Sequence, residues 1–142
     1  MDEEQAKDKV NDGWIQARAF IEVMAVDKGT TEKSLKQHIE KIKNQENLEV
    51  YKEEYDTAEE VDEPPGDVPQ AYSQIAEIEL VVSSVKNLIT FTFMYGPSSV
   101  EIIRPESTEL KMGELQDMAN TIAALVHQYA SQGAGGILTT PE

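Results

Sequence analysis

Tyr72-Ser73-Gln74-Ile75-Ala76-Glu77-Ile78-Glu79-Leu80-Val81-Val82, followed by Ser83-Ser84 and an apolar run ending Met94-Tyr95-Gly96-Pro97, is the stretch whose reading decides the fold. Tyr72, Gln74, Ala76, Ile78, Leu80 and Val82 fall on one face of an extended chain, with Ser73, Ile75, Glu77, Glu79 and Val81 on the other. That is the period of a half-buried strand. The next segment, Val85 to Tyr95, reads two ways. Ile89, Phe91, Phe93 and Tyr95 alternate with Thr90 and Thr92, which favours another strand. Ser83 and Ser84 are good helix N-caps, Gly96-Pro97 is a helix stop, and Val85, Leu88, Ile89, Thr92 and Phe93 form a helical stripe. The boundary signals decide for a helix. Val100, Ile102 and Ile103 then make a further strand that ends near Pro105.

Upstream, residues 1–13 are charged and polar and end in the turn signal Asn11-Asp12-Gly13, which predicts a disordered leader. Ile15, Ala17, Ala19, Ile21 and Val23 alternate with Gln16, Arg18, Phe20 and Glu22, predicting a strand with one uniformly apolar face. After the turn Asp27-Lys28-Gly29, Thr30 or Thr31 is expected to cap a helix whose core stripe is Leu35, Ile39 and Ile42. Leu48, Val50, Tyr51 and Tyr55 predict a second strand, its outer face carrying Glu49, Tyr51, Glu53 and Tyr55. Residues 56–69 hold six acidic residues, three prolines and one glycine, and are expected to form an exposed, disordered acidic loop.

Downstream, Leu115, Met118, Ala119, Ile122, Leu125, Val126 and Tyr129 recur at helical spacing and predict a long amphipathic helix. Residues 132–142 are expected to be a flexible tail. The order strand, helix, strand, strand, helix, strand, then helix is the split βαβ pattern. It predicts an α+β fold: a ferredoxin-like βαββαβ sandwich with an additional C-terminal helix, one domain over residues 14–131.

In such a sandwich two helices cover one face of the sheet. The other face would show Phe20, Met24, Tyr51, Tyr55, Ile75, Val81 and Ile103 among Arg18, Glu22, Glu49, Glu53, Glu77, Glu79 and Glu101. That surface is too apolar to be left bare, so the last helix or a second copy is expected to cover part of it. RNA-binding sheets set aromatics beside lysine and arginine; a face this rich in glutamate argues against RNA. With 12 basic against 27 acidic residues the net charge is −15, which repels nucleic acid and anionic lipid and would steer a basic protein partner.

Tyr95-Gly96-Pro97-Ser98-Ser99-Val100-Glu101-Ile102, Gly113-Glu114-Leu115-Gln116-Asp117 and Gly13-Trp14-Ile15-Gln16-Ala17-Arg18 together make the chain resemble small archaeal proteins of uncharacterised function, over residues 13–130. The resemblance implies a fold and an archaeal source, and brings no catalytic residue with it.

The chemistry-bearing residues are few. The chain has no cysteine, hence no disulfide, thiolate nucleophile or Cys-based metal site, which suits a cytoplasmic location. The acidic N-terminus lacks signal-peptide character, and no apolar run approaches the roughly 20 residues of a spanning helix. His38 sits on the edge of an apolar stripe and reads as structural, whereas His127 falls off its stripe. No spacing suggests a zinc site. Glu114, Asp117 and Thr121 share a helix side, more simply a solvated face than a cation site. Gly96, Ser98 and Ser99 could hold a small anion through hydroxyls and free amides, against the plainer reading of a helix stop and turn. No catalytic residue, metal or cofactor is expected. The function expected is a noncatalytic self-association or protein-interaction module, a homodimer or the partner of a basic protein. The alternatives are a metabolite-sensing, ACT-like regulatory domain and, further off, a carboxylate-based enzyme.

Overall fold

The computed structural model describes residues 1–132. The chain divides into two compact units, Met1–Glu106 and a second beginning at Ser107. The expected tail lies outside the described residues except for Gln132.

The first unit runs α1 (Glu3–Asn11), β1 (Ile15–Ala25), α2 (Lys28–Lys43), β2 (Leu48–Tyr55), β3 (Glu59–Glu60), β4 (Tyr72–Val82), α3 (Val85–Tyr95) and β5 (Ser99–Arg104). Its sheet has the order β2-β4-β1-β5, antiparallel throughout, with the short β3 also paired to β4. This is the ferredoxin-like arrangement expected from the element order. The decisive stretch lies at the centre of the sheet: β4 pairs with β1 along its whole length, from Ile15 opposite Val82 to Ala25 opposite Tyr72. Ile15, Ala17, Ala19 and Ile21 of β1 and Ala76, Ile78, Leu80 and Val82 of β4 share one face and form the core with Leu35, Ile39 and Ile42 of α2 and Leu88 and Phe91 of α3. Burial of this apolar surface is the main driving force for the fold.

Local chemistry sets the helix ends. Asp27, rather than Thr30 or Thr31, caps α2, accepting a hydrogen bond from the Thr30 amide at 2.7 Å, so the helix starts earlier than expected. Those amide and hydroxyl bonds from Thr30 hold the Asp27 carboxyl below its ordinary range. Residues 85–95 are the helix the boundary signals called for. The Ser84 hydroxyl accepts from the Asn87 amide at 3.1 Å, and Gly96 closes the helix with φ +54°, a left-handed value that favours glycine. Its strand-favouring threonines are accommodated because Thr90 and Thr92 donate back to the Lys86 and Leu88 carbonyls at 2.9 Å.

Three expectations are corrected. Residues 3–11 are a helix and not a disordered leader. Asp2 and Gln5 form a reciprocal capping box, and Ala6 is wholly buried where α1 packs on β1 and β4. The acidic segment is ordered at its start: the Asp56 amide donates to the Ile75 carbonyl and the Val61 amide to the Ala71 carbonyl, both at 2.9 Å. Between them β3 adds to the edge of β4, and the Gln74 side-chain amide holds the Asp56 carbonyl at 2.8 Å. Finally, β2 carries a bulge between Val50 and Lys52. One extra residue exchanges the two faces beyond it. Lys52 and Glu54 therefore stand opposite Glu79 and Glu77 on the outward face, and Glu53 and Tyr55 pass to the helix side, opposite Ile78 and Ala76.

The second unit contains α4 (Met112–Ser131). The helix begins with Lys111 in the cap position and no side-chain cap bond.

Candidate interaction surfaces

The outward face of the sheet falls into three zones. At the first, α1 covers the end of the face formed by Gln16 and Val81, which pair with each other and are both fully buried. Lys9 of α1 reaches Glu49 of β2 at 3.8 Å and lies 4.4 Å above the Trp14 ring. Val81, expected on the interaction surface, is therefore core. Little in the sequence warns of this, because the buried stripe of α1 is reduced to Ala6.

The middle zone is a polar network that crosses all four long strands. Arg18 of β1 meets Glu101 of β5 at 3.0 Å, Glu77 at 3.3 Å and Glu79 at 3.9 Å, the last two on β4. The Glu101 bond, with the field of all three carboxylates, raises the Arg18 pKa further above its ordinary value. Lys52 lies 3.3 Å from Glu79. The Tyr51 hydroxyl donates to Glu79 at 3.1 Å and accepts from the Gln16 side-chain amide at 2.6 Å; Gln16 in turn accepts from Arg104 at 2.9 Å. Burial pushes the Tyr51 phenol up and keeps it protonated as a donor. Glu79 is buried yet compensated on each side, as a buried charge must be. Tyr51 is thus a network residue. Tyr55 has left this face, its hydroxyl donating to Glu53 at 2.9 Å. Ile103 is the extra residue of a bulge in β5 and is half-buried.

The third zone keeps the apolar character expected of the face. Phe20 is half-buried, Ile75 is 36% and Met24 46% exposed. Beside them, a cleft of about 510 Å³ is lined by Glu22, Asp56, Glu59, Glu60, Ser73 and Ile75, among others. Ser73 donates to Glu22 there at 2.7 Å.

The residues suggested for anion binding have other work. Both the amide and the hydroxyl of Ser98 donate to the Phe20 carbonyl, at 2.8 and 3.0 Å, and Ser99 pairs with Phe20 at the start of β5. Gly96 supplies the helix stop. His38 bonds the Tyr95 carbonyl through Nε2 at 3.0 Å and packs edge-on to the Tyr95 ring, a structural role. Among the described residues no three His, Cys, Asp or Glu converge as metal ligands.

In the second unit α4 carries Leu115, Met118, Ile122, Leu125 and Tyr129 on one stripe. Their separations are three, four, three and four residues, the a/d rhythm of a coiled-coil seam. Leu115 is 45% and Ile122 39% exposed, and Met118 and Leu125 are half-buried. The flanks are nearly uncharged: Ala119 and Val126 on one side, Glu114, Thr121 and Gln128 on the other. Thr121 donates to the Asp117 carbonyl at 2.9 Å, and His127 is exposed. No helix among the described residues is long and apolar enough to cross a membrane.

An antiparallel sheet with its four long strands in this order, α2 and α3 on one face and an amphipathic C-terminal helix, defines a ferredoxin-like α+β protein with a C-terminal extension. The chain belongs to the MJ0538 family, whose model matches residues 16–139, so α1 precedes the matched region. No curated protein and no solved structure matches it.

Proposed function

We propose that the protein is a noncatalytic interaction module that self-associates through α4, in the archaeal cytoplasm that its family resemblance and cysteine-free composition suit. The observation that carries this reading is the a/d seam of Leu115, Met118, Ile122, Leu125 and Tyr129, apolar and incompletely covered at Leu115 and Ile122. A second copy is the occupant that fits. A chain of net charge −15 repels itself over most of its surface, but α4 carries acidic side chains only at Glu114 and Asp117. Two such helices meet along a seam without facing rows of like charge. The outward sheet face, the other surface considered for assembly, is closed at one end by α1 and internally neutralised in the middle.

The test is the solution mass of the full chain, by sedimentation equilibrium at two salt concentrations. A dimer is expected, tighter at higher salt because screening weakens the repulsion between two acidic copies. Ile122→Asp places two charges in the seam and is expected to weaken the dimer more than tenfold while leaving the thermal transition of the first unit in place. A monomeric wild type, or a dimer indifferent to both Ile122→Asp and Leu115→Asp, would overturn the reading.

A further inference from the structure

β1 is paired along its full length with β4 but only over Gln16–Phe20 with β5. Among the described residues nothing pairs with Ile21–Ala25 on the β5 side. The Phe20 carbonyl accepts from the Ser98 amide, so Phe20 turns its main-chain groups toward that side. Backbone direction alternates along a strand, and Glu22 and Met24 therefore present their amides and carbonyls to the same open edge. The edge is held rigid from behind by the residues between them, Ile21 opposite Ala76 and Val23 opposite Gln74, whose main-chain groups face β4. It is a preformed template for one more strand.

We infer that the open half of β1 accepts an extended segment of a basic protein partner as an added strand. Charge selects the occupant. An added strand lies about 4.8 Å from β1, and its outward side chains fall beside Glu22, at the mouth of the cleft that also holds Asp56, Glu59 and Glu60. Alternating lysine or arginine on the partner meets this field, while the apolar residues between them point to the helix side, beside Val23 at the margin of the core. A second copy of this chain is a poor occupant, because edge-to-edge pairing would bring Glu22 against Glu22. The inference stands independently of α4: its surface is in the first unit, and its failure leaves the self-association reading untouched.

The probe is a capped seven-residue peptide alternating lysine and valine, with a glutamate and valine peptide as control, followed on the full-length protein by amide resonances and hydrogen exchange. The lysine peptide is expected to shift the Glu22 and Met24 amides and slow their exchange, with no effect from the glutamate peptide. Met24→Pro removes one edge donor without touching the pairing to β4 and is expected to weaken binding about tenfold. Glu22→Lys is expected to weaken it about fivefold, the effect of losing and inverting one exposed ion pair; it carries the test if Met24→Pro does not fold. Three results would each overturn the inference: no binding, binding that leaves the Glu22 and Met24 amides unmoved, or amides already protected in the free protein.

Discussion

Helices α2 and α4 are amphipathic by the same spacing and meet opposite fates. In α2 the stripe Leu35, Ile39 and Ile42 is wholly excluded from solvent, whereas Leu115 and Ile122 of α4 remain 45% and 39% exposed. The difference lies in connectivity. A helix joining β1 to β2 must cross the sheet it connects, and the sheet closes over its apolar face. A helix that follows the last strand has no such obligation. Periodicity reports that a face needs cover; only topology says whose. Substitution should separate the two cases most sharply in the core. Leu35→Ala is expected to destabilise the first unit by about 3 kcal/mol, as large-to-small changes in well-packed cores do. Ile122→Ala is expected to leave that unit's denaturation midpoint within experimental error, measured below the dimer dissociation range. Equal effects from the two changes would erase the distinction.

A similar contrast holds between the two faces of the sheet. The helix side is bound mainly by apolar burial, and the middle of the outward side by a polar network. Gln16 shows how closely that network is matched: its side-chain amide nitrogen donates to the Tyr51 hydroxyl and its oxygen accepts from Arg104. Tyr51→Phe removes the acceptor while leaving the ring, stranding a fully buried donor and depriving Glu79 of one bond. The expected cost is about 2 kcal/mol in chemical denaturation. A cost near zero would mean that water reaches Gln16 and that α1 seals this end poorly.

The sequence was most legible where one rule governed. The strict alternation of β1 and β4 gave their faces correctly, and Ser84 and Gly96 marked the ends of α3 against the strand preference of its threonines. What escaped was set by single residues acting at a distance. Nothing in the composition of residues 3–11 announces a docked helix, because the one residue it buries fully is an alanine. The bulge at Tyr51 was equally hidden. Tyr51 and Tyr55 lie four residues apart and look equivalent in an alternating strand, yet one extra residue sends them to opposite faces. The sequence did identify the apolar character of the face and the helix stripe, but it could not tell that α1 would take Val81 into the core, nor that β5 would stop short of Glu22.

The bulge also supplies the mildest and most diagnostic prediction. By sending Glu53 to the helix side it brings that carboxylate 2.8 Å from Lys43, near the end of α2, with the Tyr55 hydroxyl donating to it as well. The Lys43 bond, opposed by burial and aided by Tyr55, holds the Glu53 carboxyl below its ordinary 4.5. A carboxylate whose pKa is lowered by folding contributes stability that is complete above its unfolded pKa and lost as pH falls through the lower folded value. Glu53→Gln is therefore expected to cost about 0.5–1 kcal/mol at pH 7, small because Lys43 is open to solvent. The gap should close below pH 4.5 as the wild-type carboxyl takes up its proton. Were Glu53 instead on the outward face, as plain alternation places it, Lys43 would lie across the sheet from it, and the two proteins would keep a constant difference from pH 7 to pH 3.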